Sequence, residues 1–387
     1  MVLENCIMRK GFPASAGSGI LAGFTSPFDA AAVGRLAMAG YEIAGQASMP
    51  EFAIPALTPD FPAATDGGPD AVDMVLSGAA GLALCNDPFG TMRRKAAFSG
   101  LSYIQPTYGT VSRYGLIPTA PSMDRIGVLC GDVPEGLALL TAISGHDPRD
   151  GAMYPDAPGQ GPDASVSEAA SAGQEAREPR LAFPWGLPGV GADVGADSGA
   201  EGRAAAGGGF GYLDHADAAM YAIACVEACS SLSRYDGIGF GYSVPNYESL
   251  DDLYVRTRSE GMGFWAKLTA VMGSMFLTGD NYVNVYGKAT RVRRVIKDSF
   301  VGGGYEAAAF PVGARPAGGD AAPAREGAAP EGGGILSALS DASLTSLAGL
   351  PSLTVPYAGG GLQIVGMPGS ERALLPLLRR SGRLSSI

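Results

Sequence analysis

The residues from Leu82 to Ile117, LALCNDPFGTMRRKAAFSGLSYIQPTYGTVSRYGLI, assemble the parts that nucleophilic chemistry needs. An apolar run breaks at Asn86-Asp87-Pro88, turns through Gly90, presents the hydroxyl of Thr91 and leaves through Met92-Arg93-Arg94-Lys95. A buried strand or helix end, a tight turn, a hydroxyl and a short helix together make one kind of nucleophile loop. The same pattern also fits an ordinary structural turn. A hydroxyl attacks only when an adjacent base takes its proton and fixed donors hold the developing oxyanion. Lys95, four residues after Thr91, falls on the same helix side and is one candidate base.

Other chemistries find less support. The five cysteines (Cys6, Cys85, Cys130, Cys225, Cys229) have no framework spacing, which suggests a reducing cytoplasm. Cys225 and Cys229 lie four apart on an expected helix and read as small buried residues. With only His146 and His215 available, a zinc site has little basis. His146 falls in a Pro-containing turn and reads as a surface residue. Gly207, Gly208 and Gly209 lack the strand, Lys and Ser/Thr of a phosphate loop. The cluster Arg291, Arg293, Arg294 and Lys297 reads as a solvated helix face, with an RNA or partner contact as its alternative.

The elements that must position Thr91 follow from pattern. Pro27 and the apolar spacing of Ala31, Leu36 and Ala39 predict a capped helix within 26–40, followed by a short strand over 41–44. Asp70 to Leu84 reads as a helix with an acidic start, Val133 to Ile143 as a second and Ala218 to Ser231 as a third. A helical pair is expected around Gly279. Short β-rich runs near Leu347–Pro356 and Gly361–Gly366 suit central strands. The chain has 387 residues, 46 % of them hydrophobic, enough for a sizeable core. Its 58 Gly and 28 Pro concentrate in two tracts that cannot bury enough apolar area to fold. Within the first, Leu181–Leu187 reads as a short embedded strand. The formal charge of −11 gives no general basic footprint for nucleic acid. No apolar run is long enough to span a membrane.

Several strings point further. Pro106-Thr107-Tyr108-Gly109 with Val111-Ser112-Arg113-Tyr114-Gly115-Leu116 resembles the amidase signature family, most closely its branch of A subunits of tRNA-dependent amidotransferases. Lys10-Gly11-Phe12-Pro13 with Ala16-Gly17-Ser18, Met49-Pro50-Glu51-Phe52, Ser122-Met123-Asp124-Arg125, Gly145-His146-Asp147-Pro148-Arg149-Asp150, Ser233-Arg234-Tyr235-Asp236-Gly237 and Arg258-Ser259-Glu260-Gly261 are similar to further strings of that family, in the same order. The resemblance implies an α/β fold, a large mixed β-sheet flanked by helices on both faces. It also implies that the family's helical region before Lys10 is missing here, an expectation of a truncated or misassigned start.

The resemblance implies a mechanism as well: a Ser nucleophile, deprotonated through a second Ser that bears a cis peptide, by a neutral Lys. The family's nucleophile loop, G-S-D-T-G-G-S-I-R, corresponds to Cys85–Arg93. The nucleophile position is Thr91, the relay position falls on Gly67 and the Lys position on Glu4. Thr65 is the relay alternative should the register in this shortened loop differ. Asp87, Gly90 and Arg93 take the substrate-binding positions. Pro88 removes an N–H and Phe89 replaces a Gly that can need positive φ.

By resemblance the activity would be glutamine hydrolysis supplying ammonia for transamidation of mischarged tRNA. B-type and C-type subunits would be partners, tRNA would be met only indirectly, and ATP and magnesium would be used by a partner rather than by this chain. With base and relay altered, the residues predict an impaired or inactive site, and a non-catalytic amidase-fold scaffold as the alternative. A decaying gene is a third expectation. The expected organisation is an amidase-like core over 1–155, a low-complexity insertion over 156–209, a helical core part over 210–301, a linker over 302–334 and C-terminal strands and helix over 335–387.

Overall fold

The computed structural model describes residues 1–54, 67–153, 181–182, 212–303, 306–312, 340–357 and 360–380. Nine strands form one mixed sheet among these residues. They are β1 (Val2–Glu4), β2 (Gly45–Ala47), β3 (Leu82–Asn86), β4 (Ser102–Gln105), β5 (Ile126–Cys130), β6 (Leu181–Ala182), β7 (Ala307–Val312), β8 (Ser352–Tyr357) and β9 (Gly360–Gly366). The order across the sheet is β2-β1-β3-β5-β4-β8-β9-β7-β6. β1 runs parallel to β2 and β3, and β6 parallel to β7; the other pairs are antiparallel.

The strands are largely apolar and mostly buried because both faces are covered. Along β3, Leu82 and Leu84 point into one core while Ala83 and Cys85 point into another. The second core is closed by α2 (Ala71–Leu76) and α3 (Thr91–Phe98) through Ala71, Val72, Met92 and Ala96. The first is closed by α1 (Ala31–Met38), α4 (Val133–Ile143) and α5 (Ala216–Leu232). Beyond α5 come α6 (Leu250–Gly261), α7 (Phe264–Phe276), a π-helical turn over Tyr282–Tyr286 and α8 (Gly287–Gly302). Helices α9 (Ser340–Ala348) and α10 (Glu371–Arg380) complete the fold.

The structure redraws several expected boundaries. The helix expected over 70–84 is two elements. Asp70 caps α2 in a reciprocal capping box with Asp73, the helix stops at Ser77-Gly78, and Leu82 opens a strand. Gly78, at φ 77°, makes the exit that other residues take at a cost. The short strand expected over 41–44 forms instead at Gly45–Ala47, where β1 offers its edge. Inside the segment read as linker over 302–334, Ala307–Val312 is a fully buried strand between β9 and β6. Leu181–Ala182, the start of the expected embedded strand, pairs with it; the rest of 156–209, with Thr65 and Gly207–Gly209, lies outside the described residues. Helix α4 matches its expected span residue for residue.

The Pro106–Leu116 string is specific because its side chains fix the chain's path. Thr107 receives Gly369 N–H on its hydroxyl and gives its own N–H to Glu371 Oε1 at 2.7 Å. Arg113 holds both Asp150 oxygens, at 2.8 and 3.0 Å, and donates to Tyr108 Oη at 2.8 Å. Ser112 donates to Asp147 at 2.8 Å. Gly115 sits at φ 83°, and a Cβ there would stand 2.4 Å from Ala30 Cα. Gly115→Ala is therefore expected to cost about 2–4 kcal/mol, combining left-handed strain with backbone overpacking. A urea midpoint unchanged from the parent would contradict this packing.

Candidate functional site

The site lies where β1 and β3, parallel neighbours, both end. Ligands of α/β sheets gather at such carboxyl ends. The last residue of β1 is Glu4 and the last of β3 is Asn86; the chain then turns through Gly90, at φ 80°, into α3, whose first residue is Thr91. Glu4, Asn86, Thr91 and Lys95 line one cavity of about 20 Å³, with Asp70 and Ala53 on its other side. That is room for a water-sized group. The base and nucleophile positions read from sequence therefore border the same cavity.

Glu4 is 2 % exposed. Its Oε2 accepts the Asn86 N–H at 2.7 Å. Burial pushes its carboxyl well above the ordinary range, the Asn86 bond opposes this, and the charges of Asp87 and Asp70 add to the rise. Position 4 therefore holds a neutral acid over part of the pH range, not an amine.

Gly67 lies at the solvent edge, and an added Cβ there would meet nothing within 4 Å. No side chain at that position links Thr91 to Glu4. Lys95 Nζ is bonded to Asp70 Oδ2 and to Asp73 Oδ1, the latter at 3.2 Å. Its ammonium is engaged by these two carboxylates across the cleft, which argues against its standing in as the base.

The other positions have structural work. Asp87 is 1 % exposed and Arg93 0 %. Asp87 Oδ1 accepts Met92 N–H at 3.0 Å, and Oδ2 accepts Arg93 N–H at 3.1 Å and Arg93 Nε at 2.7 Å. Arg93 also donates to the Asp87 carbonyl at 2.8 Å and to Thr345 Oγ1. Neither Asp87 nor Arg93 borders the cavity; both shape the loop. Gly90 supplies that loop's left-handed residue. Phe89, by contrast, keeps negative φ and turns into an apolar pocket with Ile54, Tyr221 and Trp265.

Sequence reasoning missed two features. Phe52 and Ala53 both occupy left-handed backbone beside the cleft, at φ 51° and 54°. The Phe52 N–H donates to Ala16 at 2.7 Å, and its carbonyl accepts Thr119 Oγ1 at 2.6 Å, which hold the strained pair in place. Arg125 is fully buried and gives its guanidinium to the carbonyls of Pro106, Leu350 and Thr345 at 2.8–2.9 Å. Neither feature has a local pattern that would reveal it.

This architecture is the amidase fold. A family model described as Amidase matches residues 1–60 and 74–375, and the chain belongs to that family. Gly67 falls in the unmatched gap between the two blocks. Relatives include the A subunit of the glutamyl-tRNA(Gln) amidotransferase of Lachnoclostridium phytofermentans, 33 % identical over 321 residues, covering 78 % of this chain and 64 % of that protein. The A subunit from Cupriavidus taiwanensis is 34 % identical over 327 residues, 77 % of this chain and 65 % of that one. The chain thus spans less than two thirds of the length of these curated relatives. Among solved structures, the Thermotoga maritima A subunit superposes with a TM-score of 0.62 at 23 % identity, covering 98 % of this chain and 81 % of that one. The peptide amidase of Stenotrophomonas maltophilia gives 0.64 at 22 %, covering 98 % and 82 %.

Two measurements test the site's electrostatics. A carboxyl whose folded pKa is raised contributes its full stability below the unfolded value near pH 4.3, and that contribution is lost as pH rises toward the folded value. Glu4→Gln keeps an acceptor for Asn86 N–H and cannot ionise. Its stability relative to the parent is expected to increase as pH rises above the unfolded value of about 4.3. A difference independent of pH would mean that Glu4 is already charged throughout. Arg93→Met leaves Asp87 without its buried counter-ion and is expected to cost about 3–5 kcal/mol in urea unfolding. A loss below about 1 kcal/mol would place the pair among weak surface contacts.

Proposed function

We propose that this protein keeps the frame of the amidotransferase A-type chain, does not hydrolyse glutamine by the Ser-Ser-Lys route, and acts by binding. One observation carries the reading: the group that lines the cavity with Thr91 from the base position is Glu4, buried and bonded to Asn86 N–H. Burial disfavours the charged form of Glu4 and makes it a poor base toward a hydroxyl, and a glycine at the relay position offers no side-chain path for the proton. Loss of base and relay together brings such a site toward background turnover. The binding role would be that of one component in an assembly with B-type and C-type partners, in which ATP and magnesium belong to the partner.

A second reading has support from the relatives' sequences: a working glutaminase component in which ionised Glu4 serves as base above its raised pKa. Ammonia release from glutamine separates the two, measured on the purified chain alone and with B-type and C-type partners, beside Thr91→Ala. The expected outcome is no turnover above background in either protein. Turnover that disappears in Thr91→Ala and rises with pH in the parent would establish the second reading.

A further inference from the structure

Helix α7 carries large apolar residues on its outside. Its buried residues are Ala266, Thr269 and Gly273, small side chains on one face that let it lie close to α5. A Cβ at Gly273 would stand 2.1 Å from the Cys225 carbonyl oxygen, so the crossing admits nothing larger. The opposite face carries Phe264, Leu268, Val271 and Met275, whose spacing of four, three and four residues places them in one stripe. Phe264 is 67 % exposed, Val271 64 % and Met275 45 %. Trp265 and Phe276 pack partly buried against the core, while this second apolar stripe stays outside it. Leu277, Tyr282 and Val283, at the end of α7 and in the turn that leads to α8, are exposed as well. Large apolar residues exposed together on one element mark a surface that another molecule can cover.

A cationic helix follows, joined to α7 through the Tyr282–Tyr286 turn that touches both. Helix α8 packs on the same α5 and exposes Lys288, Arg291, Arg294 and Lys297. Arg293 turns inward to Ser122, at 2.6 Å from its hydroxyl, and so belongs to the fold. One carboxylate in α8, Asp298, meets these charges, in an exposed pair with Arg294 at 3.4 Å. In a chain of net charge −11, this concentration of cations singles the face out.

We propose that the α7–α8 surface docks an acidic amphipathic helix of a partner polypeptide. Its apolar residues would lie along the Phe264–Met275 stripe and its carboxylates against the α8 cations. A 4-3-4 stripe is the complement of a helix with a heptad apolar seam. Charge selects the partner. A second copy laying the same two helices here would bring one carboxylate, Asp298, to set against the cations. Nucleic acid would satisfy the cations and leave the aliphatic stripe in water. The inference stands on this surface alone and holds whether or not the Glu4 cleft turns over.

The test titrates the full chain into a labelled synthetic helix with leucine at heptad positions a and d and glutamate at the flanks. The same helix with lysine flanks and a single-stranded RNA are the comparisons. The glutamate helix is expected to bind saturably and more weakly as salt rises. Val271→Asp with Met275→Asp, and separately Arg291→Glu with Arg294→Glu, are each expected to weaken binding on the order of tenfold or more. Both variants should keep the parent's circular dichroism. The Arg291→Glu/Arg294→Glu chain should take up the lysine-flanked helix in exchange, which damage to folding would not produce. Failure of the glutamate helix to saturate, or equal binding of both helices, overturns the proposal. So does RNA binding lost in Arg291→Glu/Arg294→Glu and kept in Val271→Asp/Met275→Asp, or a dimer of this chain that Val271→Asp/Met275→Asp dissociates.

Discussion

The Asp87–Arg93 pair is the interaction on which the rest of the site depends. Its Nε to Oδ2 separation of 2.7 Å joins two side chains that are almost wholly out of water. Desolvating two charges is expensive, and their attraction offsets it only when every remaining donor and acceptor is also used. That condition is met. The two Asp87 oxygens take two backbone N–H groups at the start of α3 as well as the guanidinium, and Arg93 reaches both the Asp87 carbonyl and Thr345. A carboxylate at the first turn of a helix is also favoured by the helix dipole. The turn between β3 and α3 is thereby set independently of the residue at its tip, which here is Thr91.

The same independence explains how the reacting groups could change while the fold stayed. Glu4 occupies the end of a strand held on both sides by β2 and β3, and its carboxyl finds a donor in Asn86 N–H. Lys95 and Asp70, from α3 and from the cap of α2, meet across the cleft. The cleft therefore brings an acid, a cation and a hydroxyl to the lining of one cavity.

Much of this was legible in the sequence, for identifiable reasons. Helix α4 is bounded by turn residues and has a clean apolar period, so its span was readable. The expectation for Glu4 rested on Lys10-Gly11 downstream of it, and that for Thr91 on the string that follows its loop. By contrast, Gly78–Gly81 offer little period, and only the pairing of Leu82 with Cys130 settles that a strand begins there. Ala307–Val312 contains Pro311 and lies among Gly- and Ala-rich residues, so its composition resembles the tracts around it; β9 and β6 make it a strand. The role of Lys95 depended on α2, which the sequence places but does not orient. The exposure of the α7 stripe could not be read from periodicity, since a stripe of large apolar residues looks the same whether it faces a core or a partner.

Arg93 also joins residues that are far apart in the chain. Its contact with Thr345 closes a loop of 252 residues. Arg125 bonds to Thr345 and Leu350 across 220 and 225 positions, and Thr107 to Glu371 across 264. Contacts of such separation form late, because the entropy of closing the loop must be met before they contribute anything. During synthesis, the Thr91 loop therefore lacks its final supports until α9 has been made. A binder that recognises the finished shape of that loop would distinguish complete chains from nascent ones.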